Sequence, residues 1–163
     1  MIRHISIDAQ DPLRVAVALA EILKGKAYKF LTPLSAIVMP FDDYGTHIVV
    51  FKEGTVWAPG SDSESAKILE ASPAQLVSAH TAMSVPASCP QIEKIAQREG
   101  WRALVRKRSE GVPFSVVEFW VENRTLFEFM PPDFLPEYLE TMQPEPIEKM
   151  MGQPIQSATA LKK

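Results

Sequence analysis

Residues 2–9 alternate about Ile5 and Ile7, with His4, Ser6 and Asp8 on the opposite side, the period-two signature of a strand whose faces meet different environments. Asp11-Pro12 then predicts a helix start, because aspartate caps free N–H groups and proline fits the first turn. The helix is expected over residues 12–24, with Val15, Ala18, Leu19 and Ile22 on one stripe and Gly25 as the stop. Three further strands are predicted at "AYKFL", "SAIVMPF" and "THIVVF", the last two separated by the turn-like "DDYG". The first part of the chain therefore reads β-α-β-β-β.

Residues 58–77 change character, becoming small, polar and proline-containing, and are expected to form a linker with one helical turn around 65–69. The pattern then restarts. A strand is predicted over 79–85, a helix over 90–99 stopped by Gly100, and strands at "WRALVRK", "FSVVEFWV" and "TLFEFM", with "ENR" as the turn between the last two. The order is again β-α-β-β-β, so the sequence divides into a first module (1–57), a linker (58–77), a second module (78–131) and a C-terminal segment (132–163). In register, His4 falls on His80 and "THIVVF" falls on "TLFEFM", which sets Val49 against Glu128 and His47 against Leu126.

Composition narrows the functional classes. With 46% hydrophobic and 23% charged residues, the 163-residue chain can bury a real core. Its 17 basic and 20 acidic side chains leave a net charge of −3, which argues against a nucleic-acid footprint or a polybasic membrane surface and favours a small-molecule ligand. A single cysteine, Cys89, excludes an intrachain disulfide framework, and no apolar run has the length of a membrane span, so a cytoplasmic protein is expected.

A doubled βαβββ module, with "HISIDA" and "HTAMSV" opening the two halves and "TLFEFM" closing the second, resembles the vicinal oxygen chelate superfamily of glyoxalase I, methylmalonyl-CoA epimerase, extradiol dioxygenases and bleomycin-resistance proteins. The resemblance covers about residues 2–131. It implies an α+β fold in which two half-open cups of mixed sheet face one another with helices outside. It also implies a divalent metal (Zn, Fe, Ni, Co or Mn) held by His4, His80 and Glu128, and a homodimer. Two imidazoles and a carboxylate suit such ions and leave positions open for water or substrate. A metal-dependent lyase, isomerase or dioxygenase acting on a small oxygen-rich substrate would follow, the alternative being a metal-free binder of the bleomycin-resistance type. Glyoxalase I-like members carry a carboxylate in the fourth strand of the first module, where this chain has Val49. His47 stands two residues away, and with Val49, Ser6 and Ser84 it is expected to line the cavity.

Other features have simpler readings. Glu118, Phe119 and Trp120 are candidates for pocket lining, with packing the commoner role of the aromatic pair. "RALVRKR" at 102–108 suits a charged sheet edge better than a phosphate site. Cys89, at a helix start, has no base to pair with and is expected to pack. After a short helix over 135–142, residues 143–163 are expected to be extended, wrapping a partner subunit or lying free.

Overall fold

A computed structural model describes residues 2–30, 32–61, 63–74, 76–109 and 112–152. Its first strand, β1 (His4–Ala9), leads into α1 (Pro12–Ile22), where the Asp11 carboxylate accepts from the Arg14 N–H at 3.1 Å and Pro12 occupies the first turn. The stripe Val15, Ala18, Leu19 and Ile22 is fully buried. Next come β2 (Lys26–Lys29), β3 (Ala36–Met39) and β4 (His47–Lys52), which with β1 make a four-stranded sheet in the order β1-β4-β3-β2. Only the β1–β4 pair is parallel; β4–β3 and β3–β2 are antiparallel.

The chain then departs from the expected linker. Thr55–Ala58 is β5 and Lys67–Glu70 is β6, a two-stranded antiparallel hairpin, so the helical turn expected around 65–69 is a strand instead. Trp57 explains part of this, because its ring packs edge-on against Phe51 of β4 at 5.9 Å and fixes one strand of the hairpin to the first sheet.

The second module repeats the first. β7 (Thr81–Ser84) leads to α2 (Cys89–Glu99), at whose start the Gln91 side chain accepts from the Ser88 N–H at 2.9 Å. Gly100 ends the helix at φ 73°, the left-handed conformation that glycine adopts without a Cβ penalty. β8 (Arg102–Ser109), β9 (Val112–Val121) and β10 (Thr125–Met130) complete a sheet of order β7-β10-β9-β8, in which β7–β10 is the parallel pair. The basic cluster is thereby on the edge strand β8, as expected of a charged edge. α3 (Leu135–Thr141) follows and sets Tyr138 against Phe114, with ring centres 5.0 Å apart. Pro144–Met151 is a further helix, α4, where extended chain was expected; Pro144 suits a helix first turn and the run "EKMM" has good helix formers. The rest of the tail, 153–163, lies outside the described residues.

One core spans both modules. Val15, Leu19 and Ile22 of α1, Ile92 and Ile95 of α2, Ile48 and Val50 of β4, and Phe119, Phe127 and Phe129 of the second sheet belong to a single buried cluster. Polar ties reinforce it. The Glu99 carboxylate accepts from Arg14 Nε and from Arg98 Nε, each at 2.6 Å, and Arg98 also reaches Glu21 at 2.8 Å, so α1 and α2 are stitched together. Burial pushes the Glu99 carboxyl up, but the hydrogen bonds from Arg98 and Arg14 outweigh it and hold its pKa below the ordinary value.

A depressed pKa in the folded state makes Glu99 a source of stability that is present above its unfolded pKa and lost as pH falls through the folded one. Glu99→Gln is expected to cost about 1 to 2 kcal/mol at pH 7. Urea unfolding midpoints measured from pH 7 down to pH 3 should converge for wild type and variant at the acid end, and parallel curves would contradict this role.

Candidate functional site

Strand register decides which side chains meet. In the first sheet His4 is directly opposite His47, Ser6 opposite Val49 and Asp8 opposite Phe51, so these six share one face while Ile5, Ile7 and Ala9 turn toward the helix-covered core. In the second sheet Ala82 is opposite Glu128, and Glu128 is in turn opposite Glu118 of β9. The residue two beyond each module's histidine thus faces the fourth-strand position picked out by the repeat: Val49 in one half and Glu128 in the other. Phe119 lies in the core, and Glu118 and Trp120 share the face of Glu128.

The predicted site residues fall into two groups. His80 precedes β7 and brings Nε2 to 3.7 Å from Glu128 Oε2. That is too long for a hydrogen bond and close to the roughly 3 to 3.5 Å between two donors bound to one ion. The Glu128 side chain is only 6% exposed and that of His80 is 42% exposed, so the imidazole stands at the mouth and the carboxylate below it. His4 is with His47 instead. Their rings stack with centres 4.7 Å apart and planes inclined by 10°. Among the described residues, no three His, Cys, Asp or Glu side chains of one chain converge closely enough to hold an ion.

Two pockets follow this division. A cavity of about 440 Å³ is lined by Ser6, Asp8, Phe51, Trp57, His80 and Thr125 among others, joining both modules and the hairpin. A second, of about 180 Å³, holds His4 and His47 beside Thr81, Ala82 and Met83 of β7. Of the expected cavity-lining residues, Ser6 faces the larger space and His47 the smaller. Val49 is buried and Ser84 is exposed at the far end of β7. Cys89 packs against the core, and burial, with Glu93 and Asp133 nearby, pushes its thiol above the ordinary pKa, consistent with packing.

One feature of the site escaped the sequence reading. Arg124, 16% exposed in the β9–β10 turn, pairs with Asp8 at 3.4 Å and with Glu53. The other Asp8 contact is the Gly54 N–H, which donates to its carboxylate at 3.1 Å. Asp8 lines the larger cavity, and the cluster fixes it as a structural carboxylate. Only the arginine in "ENR" signalled it, and a turn arginine has no distinctive spacing.

No family model matches the sequence, and no curated protein is significantly similar to it. Solved structures are. A mutant of the fosfomycin resistance protein FosX from Listeria monocytogenes, complexed with Mn(II) and 1S,2S-dihydroxypropylphosphonic acid, superposes with a TM-score of 0.55 at 14% identity over 88% of this chain and 98% of its own. FosX from Mesorhizobium loti gives 0.52 at 12% identity over 85% and 97%. The chain has the fold of these two proteins. Among the described residues, no helix is long and apolar enough to cross a membrane.

Removing Arg124 leaves two carboxylates without their cation. Arg124→Ala is expected to destabilise the protein by about 2 kcal/mol, and Arg124→Lys to recover part of that because it restores charge without the planar fork. Guanidinium unfolding measures both, and an unchanged midpoint in Arg124→Ala would remove the cluster from the account of the site.

Proposed function

We propose that this chain binds a divalent metal and uses it to act on a small oxygen-rich substrate as a lyase, isomerase or dioxygenase. His80 and Glu128 supply two donors, and His4 of a second copy supplies the third. The observation that carries this reading is the His80–Glu128 pair, an imidazole and a buried carboxylate 3.7 Å apart. His4 supports assembly between copies, because it is exposed and within its own chain stacks on His47 rather than joining the pair. The FosX complex with Mn(II) and a dihydroxy phosphonate supports the ligand class, a small molecule rich in adjacent oxygens. The donor set fits the borderline ions, since neutral imidazole and carboxylate together suit Zn, Fe, Co, Ni or Mn.

When bound, such an ion polarises a carbonyl or holds adjacent substrate oxygens as a Lewis acid. The protein's own part is to position and exclude. Glu128 is held at a fixed depth by its place in β10, between β7 and β9. Ala82, with a single methyl for a side chain, is directly opposite Glu128. The cavity beside His80 offers Ser6 and Thr125 as hydrogen-bonding groups and Phe51 and Trp57 as an apolar wall.

Val49 favours a second reading, a metal-free pocket that sequesters its ligand, because the first module lacks a fourth-strand carboxylate. Metal analysis separates the two. Protein purified without chelator is expected to carry near one ion per chain and to lose it in His80→Ala; substoichiometric metal that this substitution leaves unchanged would leave the metal-free binder. Co-expression of His4→Ala with His80→Ala tests assembly between copies. A mixed dimer then has one complete donor set and one doubly deficient, so metal should return to about half the wild-type content. No recovery would rule out donors shared between copies.

A further inference from the structure

The pairing of β1 with β4 does more for His4 than place it at a strand end. His47 is its direct neighbour in register, and the two imidazoles lie nearly parallel, 4.7 Å apart, at the mouth of a pocket of their own. The ring state of His47 follows from its contact. Its Nδ1 is 3.0 Å from the Gly45 carbonyl, which can only accept, so Nδ1 carries the hydrogen and the lone pair of the neutral ring is at Nε2. A backbone carbonyl orienting one ring nitrogen so that the other can bind a metal is a recurrent arrangement in metal sites. Arg3, which also lines this pocket, donates through its guanidinium to the Tyr44 carbonyl.

We propose that His4 and His47 form a two-imidazole chelate, with His47 the fourth metal ligand in place of the carboxylate missing at Val49. The inference rests on the metal-binding reading above and adds to it a ligand from this chain's own β4. Two cis donors at imidazole bond lengths of about 2.0 to 2.1 Å stand roughly 3 Å apart with their lone pairs converging, so the rings, now parallel, must turn out of their stacking to share an ion. Plain ring stacking is the competing explanation of the same geometry; it requires no ion and predicts no change in metal binding when His47 is removed.

The test is titration of metal-free protein with Co(II), followed by calorimetry and by the visible ligand-field spectrum, in wild type, His47→Ala and His80→Ala, with circular dichroism to confirm folding of each. A weakening of at least tenfold in His47→Ala, with an altered spectrum, is the expected result. Pulsed electron paramagnetic resonance of Cu(II)-loaded wild type counts bound imidazoles without any substitution and should find three, His80 and both rings of the pair; a count of two would leave His47 outside the site. If His47→Ala binds Co(II) with unchanged affinity and spectrum while His80→Ala does not bind, the metal site stands and His47 is no part of it. If His80→Ala still binds and His47→Ala does not, the chelate stands and the His80–Glu128 site falls. Absence of Co(II) binding in the wild type overturns both.

Discussion

Parallel pairing between the first and last strands of each module is the constraint on which the site depends. It sets β1 beside β4 and β7 beside β10 with no freedom to slip, because a shift by one residue would turn Phe127 and Phe129, or Ile48 and Val50, out of the core. The core thereby dictates the chemistry. Once those apolar side chains are buried, His4 must stand beside His47, and Glu128 beside Ala82. The two halves have diverged at these fixed points: the first presents imidazoles and an aliphatic side chain, the second an imidazole above a carboxylate.

A second constraint ties the modules to each other. Glu122 and Asn123 both adopt positive φ, 50° and 56°, as a tight primed hairpin turn requires, although neither is glycine. What offsets that cost is visible in their contacts. The Glu122 carboxylate accepts from the N–H groups of Gln10 and Asp11 at 2.6 and 2.8 Å, and Asn123 bridges Arg102 and Gly100. Arg124 continues the clasp to Asp8 and Glu53. A turn of the second module thus holds the start of α1 in the first.

Much of the fold was legible because it is written in periodicity. The alternation at 2–9, the stripe of α1, the stop at Gly100 and the repeated order of elements all reflect local rules that the tertiary structure obeys. The β5–β6 hairpin was not legible. Its run "TVWA" straddles the boundary between the first module and the expected linker, and "KILE" within a polar stretch reads equally well as a helical turn; the packing of Trp57 on Phe51, across six positions of chain, favours the hairpin. In the site, the approach of His80 to Glu128 followed from the resemblance, which put both in one ligand set. The stacking of His4 on His47 did not, because it needs the knowledge that β1 and β4 are neighbours in parallel, which no residue pattern states. The Arg124 cluster was hidden for the same reason, its partners lying more than seventy positions away.

The shared core has a consequence for the integrity of the particle. The described residues of the connection from β6 to β7 are exposed, yet α1 and α2, the Glu99 pairs and the Glu122 clasp all join the halves without passing through it. Cutting that connection would sever the polypeptide but not the molecule: the two fragments would stay associated as a nicked body, each supplying apolar cover that the other cannot provide for itself.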